Sequence, residues 1–332
     1  MRNTRLALKA LGGVALGLFC LALAMRKVSY DALLVSLAKL DLRYLAAAFL
    51  ISLVIQLFRA WRWQIELSPL KSLRYPMVWQ VISVAYMSIN VLPFRLGEPV
   101  RPLLMSWKSG LSVAAIVGNW VFEKMMDAAA MVFFVHLTLL MTDLPQWASG
   151  ASGASLLLFF LLLALVVSYW LGGDKAVDSM LGRLLPAHAR SWLQGVLASA
   201  REGLSILPDR RMVAVVFLVT LALWFLPILS SYVLILGFGF DLPFAAALVV
   251  FVAIGVGTAL PNPPGMFGVF QVASVLALAI FGVEKTDALA YGIVLNAVQF
   301  FSLVAQGLVA MPFLGAGVGR VTRDAVKHVA NT

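Results

Sequence analysis

The chain has 332 residues, 62% of them hydrophobic and 12% charged, with a formal net charge of +10. An ordinary soluble domain carries about 25% charged residues, so the composition excludes a water-soluble domain and predicts an all-α, polytopic transmembrane helix bundle. Apolar runs such as "ASLLLFFLLLALVVSYWL" at 154–171 are solid rather than alternating, which excludes a barrel of alternating strands about ten residues long.

In chain order, the first apolar span is 8–25, preceded by Arg2 and Arg5. Its Ala22-x-Ala24 ending resembles a secretion-signal cleavage site. Arg26 and Lys27 follow at once and the run is longer than such signals use, so it reads as a retained first helix. Residues 26–43 intersperse Lys39 and Arg43 with Val28, Leu33, Leu34, Leu37 and Leu40, the pattern of an amphipathic helix lying in the membrane interface. Further spans fall at 44–61, 77–92, 111–141, 154–171, 212–237, 243–260 and 287–312, with shorter apolar stretches at 98–107 and 266–281. About eight spans and two interruptions result, with no linker or soluble domain, so residues 1–332 form a single membrane domain.

The basic residues lie mostly between spans. Arg59, Arg62, Lys71 and Arg74 fall in 59–75, and six Lys or Arg residues fall in 172–211, a segment whose leucines and Trp192 suit the inner surface. Arg320, Arg323 and Lys327 mark the tail, whereas "TDLPQWASGASGAS" and "GFGFDLP" carry no Lys or Arg. The positive-inside rule then predicts a cytoplasmic N-terminus, a cytoplasmic C-terminus and an inner-membrane location. Only 26–43 dissents. The same distribution accounts for the net charge without nucleic acid, for which a basic run with interleaved aromatics is missing. Cys20 is the single cysteine, His136, His188 and His328 are scattered, and no hydrolase or nucleotide-binding motif occurs; no metal or cofactor is expected.

Two breaks interrupt the apolar pattern. Leu92-Pro93-x-x-x-Gly97 recurs as Leu260-Pro261-x-x-x-Gly265, and each follows an apolar span and precedes a short apolar stretch, a turn and a longer span. Proline removes a backbone donor and obstructs the helix, and the freed polar groups are tolerated at membrane depth only inside protein or beside a wet cavity. Paired interruptions in two halves point to a transporter-like inverted repeat, with 5–141 as the first repeat and 154–312 as the second.

Charge gathers at the first break, in Arg95, Glu98 and Arg101, and on a second stretch where Asn119, Glu123 and Asp127 recur every four residues beside Lys124. That spacing places the three on one helix face. Two readings stand. The groups form an ion network that holds helices together, or Arg95 and Arg101 bind an anionic lipid head group while the carboxylates supply counter-charge or a proton relay. Arginine suits phosphate because its planar fork donates two parallel hydrogen bonds. The second break offers Asn262 and the backbone around Pro261, Pro263, Pro264 and Gly265, and Asn296, Gln299 and Gln306 in the last span are candidates to line the same cavity.

Three stretches carry a family resemblance: "NVLPFRLGEPVR" from Asn90 to Arg101, "EKMMD" from Glu123 to Asp127, and "PNPPGMFGVF" from Pro261 to Phe270. In these the chain resembles the membrane domain of the lysylphosphatidylglycerol synthase/flippase family, over about residues 5 to 320. The family pattern has Arg where Lys124 stands. The resemblance implies a bacterial inner-membrane protein that moves, or helps to move, a polar-headed lipid between leaflets. It also implies a partner role beside glycosyltransfer or other lipid-modifying enzymes. Fused members add a soluble aminoacyl-transfer domain, which this sequence lacks, so aminoacyl transfer is not expected. The expected activity is translocation of a membrane phospholipid or other polar-headed lipid, with no covalent chemistry. The alternatives are a non-transporting subunit that anchors an enzyme and, as a minor case, an intramembrane transferase using Glu98 and Asp127.

Cysteines placed at Ser149 and Gly239 are expected to react with an impermeant thiol reagent on intact cells, and one at Ala187 is not. Labelling at 187 but not at 149 inverts the topology.

Overall fold

The computed structural model describes residues 28–92, 97–142, 209–258 and 263–315, together with positions 22, 25, 26, 153, 156, 157 and 160. Among the described residues there are nine α-helices and no strand: α1 (Tyr30–Ala38), α2 (Leu42–Leu67), α3 (Tyr75–Val91), α4 (Val100–Ser109), α5 (Val113–Met141), α6 (Arg210–Gly237), α7 (Phe244–Thr258), α8 (Val269–Ala279) and α9 (Lys285–Leu314), with a 3-10 turn at Pro264–Met266. The chain is a multi-pass helical membrane protein. Helices α2, α5, α6 and α9 are each long and apolar enough to cross a membrane. The expected spans 8–25 and 154–171 lie almost wholly outside the described residues, as do the segment 172–208 and the tail beyond 315.

Helix lengths repeat along the chain. From α2 to α5 they are 26, 17, 10 and 29 residues, and from α6 to α9 they are 28, 15, 11 and 30. Both series place a long helix first, two short ones around a proline-bearing break, and a long one last. At about 1.5 Å per residue, α7 reaches about 22 Å, short of a hydrocarbon core about 30 Å thick. Helices α3, with 17 residues, and α7, with 15, are the shorter members of the expected spans 77–92 and 243–260.

The described chain divides into two compact units. The first comprises Met1–Trp61, Arg74–Lys108 and Ala222–Thr332. Within it α9 packs against α1, α3, α8 and the 3-10 turn, and α7 packs on α8. Small residues permit the approach: a Cβ on Gly307 would collide with the Met87 side chain of α3, and one on Gly292 would lie 2.9 Å from Cβ of Ser274 on α8. Helices α2 and α6 meet where Ser230 Oγ donates to the Ala48 carbonyl at 3.2 Å. Helix α1 buries Leu33 and Ser36 and exposes Tyr30, Leu34 and Val35. Polar bonds anchor the helix, because Ser36 Oγ donates to Asp287 Oδ1 of α9 at 2.6 Å and Lys39 Nζ reaches the same oxygen at 2.9 Å.

The second unit comprises Arg62–Leu73 and Ser109–Leu221. Its core sets Phe122 of α5 against Val216 of α6, with Ile65, Met126, Met212 and Val213 around them. Both helix starts are capped by side chains, as orphan N–H groups require. Ser112 Oγ accepts from Ala115 N–H at 3.0 Å, and Asp209 Oδ1 accepts from Arg211 N–H at 2.9 Å. Residues 59–67, read from the sequence as the start of a basic loop, are instead the last turns of α2.

Candidate functional site

The extension of α2 carries the chemistry of the second unit. Arg62 is 3% exposed, and each of its guanidinium nitrogens faces a carboxylate. NH2 lies 2.8 Å from Glu123 Oε1, NH1 lies 2.6 Å from Asp127 Oδ1, and Nε lies 3.4 Å from Glu66 Oε1. NH1 also donates to Thr220 Oγ1 of α6 at 3.4 Å. Glu66 follows Arg62 by one helical turn, so both point to the same side of α2. Beside them Trp63 Nε1 donates to Asn119 Oδ1 at 3.2 Å, and Asn119 Nδ2 donates to the Glu66 carbonyl at 3.1 Å.

Electrostatics explains the convergence. Removing an ion from water costs several kcal/mol even after relaxation, and close opposite charges must offset that. One guanidinium has donors in three directions, which lets Arg62 tie α2 to α5 while touching α6. The cluster is shielded but not closed: side-chain exposure is 0% for Glu66 and 1% for Glu123, but 14% for Asp127, whose Oδ2 lies 3.5 Å from the exposed Lys124 Nζ. Among the described residues no group of His, Cys, Asp and Glu is arranged to hold a metal.

The two breaks both belong to the first unit. Gly97 lies directly on the last turn of α3, where a Cβ would collide with the backbone of Ser88 and Ile89. Gly265 has φ +63°, a left-handed conformation that glycine adopts without strain. Its carbonyl accepts a bond from Asn296 Nδ2 of α9 at 2.8 Å. At the next turn Gly268 N–H donates to Gln271 Oε1 at 2.7 Å. Side chains thus satisfy backbone groups that the interruption of the helix exposes. The 3-10 turn of this second break packs on both α3 and α9.

The residues singled out in the sequence separate into two sets. Asn119, Glu123, Lys124 and Asp127 share one helix of the second unit. Glu98, Arg101, Gly97, Pro263, Pro264, Gly265, Asn296 and Gln299 belong to the first. Arg101 is buried near the start of α4. Gln299 lies in α9, where its backbone carbonyl accepts from Ser302 Oγ, and Gln306 bonds back to Ser302. Pro93, Arg95, Pro261 and Asn262 lie outside the described residues. Sequence reasoning missed Arg62, Glu66, Trp63 and Thr220. The available signal was the four-residue spacing of Arg62 and Glu66 directly after an apolar run.

A family model described as the lysylphosphatidylglycerol synthase TM region matches residues 10–307. The chain belongs to this family. It is similar to a UPF0104 membrane protein of Methanothermobacter thermautotrophicus, 22% identical over 312 residues that cover 87% of this chain and 90% of that protein. A UPF0104 membrane protein of Methanocaldococcus jannaschii is 23% identical over 225 residues, covering 66% of this chain and 91% of its own length.

Replacing Asn119 by Leu removes its bonds to the buried Trp63 N–H and the Glu66 carbonyl. Losing a bond at a buried polar group costs about 1–3 kcal/mol. Thermal unfolding in detergent is expected to show the loss, with Asn119→Leu/Trp63→Phe less destabilised than the sum of the two single changes.

Proposed function

We propose that this chain moves an anionic, polar-headed lipid between the leaflets of a bacterial inner membrane, flippase-like, with both termini cytoplasmic and no bond made or broken in the lipid. The observation that carries the reading is the pairing of the two interruptions. Each half sets a break between two helices shorter than the long ones that flank them. Polar backbone at membrane depth belongs inside protein or beside a wet cavity, and interrupted helices in corresponding positions are where transporters bind cargo. The similar helix series favour two repeats, 5–141 and 154–312, and the loop charges favour opposite orientations for them.

In this reading Arg95 and Arg101 take the phosphate of the head group, Glu98 balances them, and the backbone and Asn262 at the second break complete the polar surface. Acyl tails stay in lipid. Arg62 is not assigned to the lipid, since its nitrogens are occupied by carboxylates. Membership in a family whose description refers to a synthase's membrane region supports a lipid-related role. It also motivates the alternative, a membrane subunit that anchors or assists a lipid-modifying or glycosyltransfer enzyme.

Purified protein in liposomes with a head-group-labelled anionic phospholipid is expected to expose inner-leaflet label to an external quencher, with the lipid's mass unchanged. Arg101→Lys should leave intermediate activity and Arg101→Ala should abolish it, since lysine keeps the charge and loses the fork. Movement no faster than in empty liposomes favours the anchoring subunit, and a changed lipid mass favours a transferase.

A further inference from the structure

Arg59 precedes Arg62 on α2, and its surroundings are different. It is half-buried. NH1 donates to Gln56 Oε1 at 3.2 Å, and the guanidinium carbon stands 4.3 Å from the centre of the Tyr86 ring on α3. Among the described residues no carboxylate pairs with it. Gln56, Arg59 and Tyr86 all belong to the first unit.

An arginine near the end of a membrane helix ordinarily extends toward that end, where its charge reaches water and its stem covers apolar surface. Arg59 lies about two turns before the end of α2 at Leu67, and it reaches the other way. Its bond goes to Gln56, one turn nearer the middle of the helix. Helical side chains lean toward the N-terminus, and the face of Tyr86 holds the guanidinium in that direction. A ring face attracts a cation but supplies no counter-ion. The single bond to Gln56 uses one of the five N–H donors that arginine carries.

Gln56 adds a second observation. It is completely buried, and its Nε2 has no hydrogen-bond partner, while its Oε1 is taken by Arg59. Buried amide donors are ordinarily satisfied. Because Arg59 bonds the other end of the same amide, the donors of Nε2 and of the guanidinium lie side by side. On α3, Ser83 Oγ and Trp79 Nε1 are buried without partners as well. Their spacing puts them on the side of the helix that carries Tyr86. This part of the α2–α3 pair thus gathers one full positive charge and several unbonded donors, with no anion from the protein.

We propose that Arg59 and Gln56 bind a phosphoryl group, with Tyr86 holding the guanidinium in place. The planar fork of arginine matches two phosphate oxygens, and Gln56 Nε2 gives a neutral donor beside it. A phosphoryl group supplies both the missing counter-charge and enough acceptor oxygens for donors from two residues. The same chemistry is offered by the head group of a lipid and by free phosphate. The proposal concerns binding alone and does not rest on the lipid being moved.

The test uses the full chain in a neutral detergent at constant ionic strength. It is titrated with inorganic phosphate, with dioctanoyl phosphatidic acid, and with dioctanoylglycerol, which has no phosphate. The rise of the unfolding midpoint with concentration gives each apparent dissociation constant. Wild type should bind at least one phosphate-bearing probe, and more tightly than dioctanoylglycerol. Arg59→Met should weaken that binding by about ten- to a hundredfold, the loss expected of a hydrogen bond to a charged group. Arg59→Lys should fall between the two, since it keeps the charge and loses the fork. Gln56→Leu should weaken binding without lowering the midpoint of the protein alone, because it removes an unpaired buried amide.

Binding of phosphatidic acid alone assigns the site to a lipid head group, and equally tight inorganic phosphate assigns it to the free ion. No binding of either probe overturns the proposal, as does equal binding by wild type and Arg59→Met, which means an adventitious ion only. Without a probe, Arg59→Met should unfold close to wild type. A loss as large as that of Arg62→Met would mean that the protein itself neutralises Arg59, and it too overturns the proposal.

Discussion

A guanidinium in the interior of a membrane protein is tolerable only where anionic groups surround it closely, and the second unit is arranged around that requirement. Arg62 sits near the end of α2 and draws Glu66 from its own helix and Glu123 and Asp127 from α5. Helix α6 enters through Thr220 and through Val216, which packs on Phe122. Without the carboxylates, α2 would have reason to end before Arg62 and release it to water. With them, the helix continues to Leu67 and leaves a loop of only a few residues before α3.

The first unit meets a different demand. It contains both interruptions, and there the problem is backbone rather than charge. Glycine solves it in two ways: close approach at Gly97, which lies on the backbone of α3, and left-handed geometry at Gly265. Asn296 and Gln271 then bond the groups that the second break exposes. Satisfied backbone is what allows short helices to end at polar turns inside an apolar protein. Helix α9 gathers the unit because its small residues admit α3 and α8 closely.

Much of this was legible because prolines, glycines and charges are rare in such a sequence and stand out against it. The two LPxxxG breaks, the Asn119–Glu123–Asp127 face and the all-helical class were visible in that way. Arg62 was not, because an arginine next to an apolar span looks like a loop marker under the positive-inside rule. Two of the carboxylates that neutralise it, Glu123 and Asp127, lie on α5, far along the chain, and only the fold brings them to α2. The anchoring of α1 was not legible either, because the bonds from Ser36 and Lys39 go to Asp287 of α9, which lies far along the chain.

The account depends on Arg62 and its carboxylates acting as one coupled group, and a double-mutant cycle between Arg62→Met and Glu123→Gln tests that most directly. Thermal unfolding of the four proteins in detergent should show Arg62→Met destabilised by about 3–5 kcal/mol. Adding Glu123→Gln should recover part of the loss, for a coupling on the order of 1–3 kcal/mol. Effects that add to within about 0.5 kcal/mol would contradict the account, because they would mean that the two side chains do not depend on one another in the folded protein.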